Sequence, residues 1–258
     1  MIGYQLSINA ARFPSRRAVT FGARRTSYAV LNERTCRLAN GFVKAGCHRG
    51  DRIAVLLHNC DRFFEVLFAA AKIGAIFVPI NFRLKAREIA GLLEACTPNF
   101  LLVGIGFDEV LAELSDSPAL PARIIRADGT AEEEPDEYET WLYEHSPAEP
   151  QVIVAGDEPL MLLHSSGTTG LPKGAIFTHA TTLASSATKI IDFGLGPEDK
   201  TVVFGPLFHA GPLMDLALPL VLRGGSVVVG ASRNFDPETL TRTIAAEGGT
   251  VIPVYPRC

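Results

Sequence analysis

The residues 165–174, Ser165 Ser166 Gly167 Thr168 Thr169 Gly170 Leu171 Pro172 Lys173 Gly174, carry the densest chemistry in the chain. Gly167, Gly170 and Gly174 can take positive φ and let a ligand approach the main chain. Ser165, Ser166, Thr168 and Thr169 add short hydroxyl donors. Successive backbone N–H groups in such a turn form an anion-binding concavity, and Lys173 brings a point charge to it. That combination suits a polyphosphate. The spacing differs from Gly-x-x-x-x-Gly-Lys-Ser/Thr, and Gly174 stands where a hydroxyl for magnesium would follow the lysine. Pro172 stiffens the turn before the lysine, and the apolar run 160–163 predicts a buried strand leading into it.

With its flanks, the loop reads His-Ser-Ser-Gly-Thr-Thr-Gly-Leu-Pro-Lys-Gly-Ala over 164–175. This resembles the phosphate loop of the AMP-forming adenylating enzymes: acyl-CoA synthetases, peptide-synthetase adenylation domains and beetle luciferase. There the loop holds the β- and γ-phosphates of ATP while a carboxylate attacks the α-phosphate. The resemblance implies ATP binding by Ser165, Ser166, Gly167, Thr168, Thr169, Gly170 and Lys173, with Lys173 and Thr168 as catalytic candidates. Residues 50–59 and 74–84 resemble the first subdomain of the same family. The segment 206–213, Pro-Leu-Phe-His-Ala-Gly-Pro-Leu, resembles the motif lining the acyl-carboxylate pocket of acyl-CoA synthetases, which implicates Phe208, His209 and Gly211. His164 is read as structural.

The family reaction joins a carboxylic acid to ATP, releases pyrophosphate, and passes the acyl group from the adenylate to a thiol. The resemblance therefore implies ATP, Mg2+ and coenzyme A, with a small carboxylic acid, a fatty acid first, as the partner. By the same resemblance, the Thr168-Thr169 pair and the Phe-His-Ala-Gly context are more similar to acyl-CoA synthetases than to peptide-synthetase domains. The family's adenine, ribose and magnesium motifs and its C-terminal lysine domain have no counterpart before Cys258. The expectation is thus a truncated N-terminal portion, with magnesium ligands outside the chain. A non-catalytic nucleotide-binding remnant is the second reading.

The elements that must present these groups follow from periodicity. The pattern predicts an amphipathic piece at 7–13, a hairpin of 18–21 with 25–27, and a helix over 28–45 capped by Ser27. Strand and helix then alternate: 53–57, 61–74, 76–80, 85–96 and 100–103. After the loop come a strand at 175–178, a helix at 179–193, a strand at 201–204, a helix at 212–222 and a strand at 226–229. Asp236, Pro237 and Glu238 start a further helix. This rhythm predicts an α/β fold of parallel-rich sheets with helices on both faces. Glu132, Glu133, Glu134, Asp136, Glu137 and Glu139 read as a solvated acidic loop separating a first subdomain, 1–150, from a second, 151–258. No Gly-x-Gly-x-x-Gly follows 53–57, and Gly104-Ile105-Gly106 lacks the third glycine, which argues against a nicotinamide cofactor.

Composition narrows the class. The 258 residues are 47% hydrophobic, enough for a large core. The 24 basic and 28 acidic residues nearly balance, so neither nucleic acid nor a polybasic membrane surface is implied. Five cysteines at 36, 47, 60, 96 and 258 form neither Cys-x-x-Cys pairs nor zinc spacing and suit reduced thiols in a cytoplasmic protein. The most apolar window, 63–80, is broken by Glu65, Lys72, Gly74 and Pro79, so it reads as core and not as a membrane span.

Overall fold

A computed structural model describes residues 1–127, 137–165, 173–231 and 236–253. The elements up to the acidic segment are α1 (Ile2–Arg12), β1 (Arg17–Phe21), β2 (Arg24–Ser27), α2 (Tyr28–Lys44), β3 (Arg52–Leu56), α3 (Arg62–Ile73), β4 (Ile76–Pro79), α4 (Ala86–Cys96), β5 (Phe100–Gly104), α5 (Asp108–Glu113) and β6 (Arg123–Ala127). Beyond it come α6 (Glu137–Tyr143), β7 (Pro159–Ser165), β8 (Lys173–Thr178), α7 (His179–Asp192), β9 (Lys200–Val203), α8 (Ala210–Pro212), a π-helical turn (Leu213–Ala217), α9 (Leu218–Arg223), β10 (Ser226–Val229) and α10 (Pro237–Glu247).

These strands form two sheets. The larger has the order β6-β5-β3-β4-β7-β8, parallel except for β8, which pairs antiparallel with β7. The smaller has the order β2-β1-β10-β9, with β1, β10 and β9 parallel. Both sheets draw strands from either side of residue 150.

Successive side chains of a strand point to opposite faces. In β3, Ile53 and Val55 join one hydrophobic cluster with Leu38, Phe42 and Phe68 from α2 and α3, while Ala54 and Leu56 join another with Ile89, Leu92 and Leu93 from α4. Helices therefore cover both faces of the large sheet, as the continuous apolar run at 53–57 requires. The capping signals are also realised. Ser27 accepts from Val30 N, Asp236 accepts from Glu238 N and Thr239 N, and Gly74 closes α3 in the left-handed conformation at φ 71°.

Two expectations are corrected. The acidic segment is not wholly a solvated loop: Glu137–Tyr143 is helical, Tyr138 is fully buried, and Glu139 pairs with Arg34 and Arg62. Glu132, Glu133, Glu134 and Asp136 lie outside the described residues. The helix expected at 212–222 changes register inside. Pro219 has no N–H for the helix and crowds the carbonyl four residues earlier, and Leu218 N donates to Leu213 O, five residues back. Met214 O thus loses its usual α-helical donor, and Lys189 Nζ takes that place at 3.0 Å while also meeting Asp215 Oδ1 at 2.7 Å.

Candidate functional site

The loop that dominates the sequence is framed by β7 and β8. Their antiparallel register sets Ser165 opposite Lys173 and His164 opposite Gly174, so the two ends of the loop stand side by side. Ser166, Gly167, Thr168, Thr169 and Gly170 lie outside the described residues, as does the side chain of Ser165. Lys173 opens β8 and is exposed. A Cβ on Gly174 would come within 2.7 Å of Leu162 Cδ1, so the missing side chain lets β8 close against β7 beside the loop.

Lys173 and Gly174 form one wall of a cleft of about 310 Å³. His164 and Leu163 contribute from β7, Ala175 and Phe177 from β8, and Phe208, His209 and Ala210 from the segment after β9. The structure thus brings Lys173, Phe208 and His209 to one place from stretches more than thirty residues apart. Gly211 lies in α8, one residue beyond that lining. Phe208 is buried with its ring edge-on to Phe82 at 5.1 Å and tilted against His209 at 4.3 Å. His209 is exposed at its mouth, yet partial burial, and then the nearby Arg83 cation, pull its pKa below the usual imidazole value. At neutral pH it offers a neutral ring with one donor and one acceptor.

His164, read from the sequence as structural, stands at the cleft as well. It lines the cleft beside Lys173, its Nδ1 is buried with no hydrogen-bond partner among the described residues, and burial lowers its pKa. Its position immediately before the hydroxyl-rich loop was the available signal.

A second cleft of about 280 Å³ lies at the carboxyl ends of β3, β5 and β6, where ligands often bind in parallel sheets. Its cations already face carboxylates: Arg24 grips Asp61 through two hydrogen bonds of 2.7 and 2.6 Å, and Arg62 meets Glu139 at 3.2 Å. The described residues lining the cleft at Lys173 include no carboxylate. Among the described residues no group of three or more His, Cys, Asp or Glu is placed to hold a metal ion, and no helix is long and apolar enough to cross a membrane.

Comparison with known proteins adds an independent line. The model of the family described as AMP-binding enzyme matches residues 6–258. The chain is 32% identical over 239 residues to a feruloyl-CoA synthase of Amycolatopsis sp, covering 93% of this chain and 45% of that protein. It is 32% identical over 245 residues to an indoleacetate–CoA ligase of Aromatoleum aromaticum, covering 94% and 47%. Among solved structures, a fatty acyl CoA synthetase of Mycobacterium tuberculosis superposes with TM-score 0.86 at 26% identity, over 97% of this chain and 48% of that one. The chain spans about half the length of the curated relatives it matches.

Proposed function

Because the chain belongs to the AMP-binding enzyme family, we propose that it carries the phosphate-binding and acyl-binding part of an AMP-forming acid–CoA ligase. The observation that carries this reading is the convergence of Lys173, Phe208 and His209 on one cleft at the ends of the phosphate loop. In the proposed reaction a carboxylate oxygen forms a bond to the α-phosphorus of ATP, and the bond to the β-phosphate oxygen breaks to release pyrophosphate. The sulfur of coenzyme A then attacks the acyl carbon and AMP leaves.

Residues in this chain contribute mainly position and charge. Lys173 would bind the β- and γ-phosphates together with Ser165, Ser166, Gly167, Thr168, Thr169 and Gly170, and its ammonium would offset charge gathering on the departing pyrophosphate. Phe208 and Phe177 supply apolar wall for the acid. His209, neutral at pH 7, orients its carboxylate by hydrogen bonding without the salt-like grip that would hold the ground state too firmly. Magnesium would arrive on the ATP phosphates and supply further charge neutralisation. The four described cysteines are free, which suits a cytoplasmic ligase.

Relatives named for ferulate, indoleacetate and fatty acids set the panel. Binding of Mg·ATP and of ferulate, indole-3-acetate and dodecanoate to the purified protein is measured by titration calorimetry. The reading predicts saturable binding of Mg·ATP and of one of these acids. Nucleotide binding with none of the acids bound would overturn it in favour of a nucleotide-binding role without activation.

A further inference from the structure

Asn59 lies three residues past the end of β3 and is 2% exposed. Its side chain is committed outside its own sheet. Nδ2 donates to Gly205 O at 2.8 Å and, more weakly, to Gly230 O at 3.5 Å, while Oδ1 accepts from Leu207 N at 2.9 Å. Gly205 follows β9 and Gly230 follows β10. One amide from the carboxyl edge of the large sheet therefore fastens both neighbouring strand ends of the small sheet. It also holds the turn between Pro206 and His209, which closes through His209 N to Pro206 O at 3.1 Å. That turn presents Phe208 and His209 to the cleft.

The ring beside Asn59 reaches the same turn through a chain of aromatic contacts. His58 stacks on Phe107 at 4.9 Å and stands edge-on to Phe82 at 4.7 Å, and Phe82 in turn meets Phe208 at 5.1 Å. The two sheets could have met through apolar contact alone. A buried amide with donor and acceptor both spent on backbone groups instead fixes one register between them, because any slip leaves buried polar atoms unpaired.

We propose that Asn59 is a positioning residue for the acid end of the site: through Gly205 and Leu207 it sets where Phe208 and His209 stand, without touching substrate. This rests on the reading of the cleft as the acid site. Asn9 provides the contrast. It is equally buried and donates to Val221 O and Leu222 O, both at 2.9 Å, tying α1 to α9 at groups that do not line the cleft.

Asn59→Ala, Asn9→Ala and wild type are compared by two readouts. The first is the NMR titration midpoint of the His209 imidazole. Asn59→Ala frees the turn, hydrates the ring and raises the midpoint toward the ordinary value by ~0.5 unit or more, whereas Asn9→Ala leaves it unchanged. The second is calorimetric binding of ATP and of the acids ferulate, indole-3-acetate and dodecanoate. Asn59→Ala weakens the bound acid by ~10-fold or more, as loss of a supporting partner does elsewhere, with ATP within about threefold of wild type. Asn59→Ser, which keeps one polar atom, is read in the same way should the alanine variant not fold. An unchanged His209 midpoint, or equal weakening of acid and ATP, overturns the proposal. If no acid binds wild type, the functional reading fails while the His209 titration still decides the role of Asn59.

Discussion

Replacing Tyr138 with phenylalanine isolates one hydrogen bond in a deeply buried ionic cluster. The Tyr138 hydroxyl donates to Glu65 Oε2 at 2.6 Å, and Arg34 holds the same carboxylate through Nε at 2.6 Å and NH2 at 3.1 Å. Arg34 also grips Glu139 at 2.9 and 2.8 Å, and Arg62 reaches Glu139 at 3.2 Å. The cluster fastens α6 to α2 and α3. Phenylalanine keeps the ring and its packing, so no cavity opens; what is lost is a hydrogen bond to a charged acceptor in a dry setting, about 1.5–3 kcal/mol. For a chain of this size that lowers Tm by roughly 3–12 °C. The single tryptophan, Trp141, lies on α6 and reports its docking by fluorescence, with far-UV circular dichroism following the whole chain. Tyr143→Phe on the same helix, at a position 61% exposed, should stay within about 0.5 kcal/mol of wild type. If Tyr138→Phe matches wild type as closely as that control, α6 is not docked by this cluster.

Gly41→Ala tests the same interface from the α2 side: its Cβ would stand 2.5 Å from Trp141 Nε1, so it should cost about 1–3 kcal/mol by overpacking and shift Trp141 emission; unchanged emission and stability would contradict the packing. His179 predicts acid sensitivity. It is fully buried, and burial first, then the N-terminal charge, drop its pKa to about 4 against the opposing pull of Glu158. Between pH 6.5 and 4 the unfolded chain binds the proton that the folded chain refuses, so its contribution is full above 6.5 and about 3 kcal/mol is lost as pH falls to 4. Urea midpoints measured across that window should fall less steeply in His179→Asn, and an identical slope would refute the assignment.

Local signals reported the elements well because caps and periodicity act over a few residues. Leu31, Thr35, Leu38 and Phe42, read as one helical face, are all fully buried. Long-range partners were not legible. Glu65 and Lys72 interrupt the most apolar stretch, and only the fold shows that Arg34 and Glu149 neutralise them, at 2.6 and 2.7 Å. Charge density alone made Glu139 look solvated, because the cations that pair with it, Arg34 and Arg62, lie on other helices. The pairing of β1 with β10, which sets Val19 opposite Val227, likewise leaves no trace in a local window. At the site, motif order pointed to Lys173, Phe208 and His209, but that His164 shares their cleft depends on the strand register of β7 and β8.

The central claim is that Lys173 serves a polyphosphate. Isothermal titration of Mg·ATP into wild type and Lys173→Ala tests it most directly, since Lys173 is exposed at the start of β8 and its removal should change stability by no more than about 1 kcal/mol. Loss of a charged contact worth about 1.5–3 kcal/mol predicts affinity weaker by roughly 10- to 150-fold. Equal affinities in the two proteins would contradict the account.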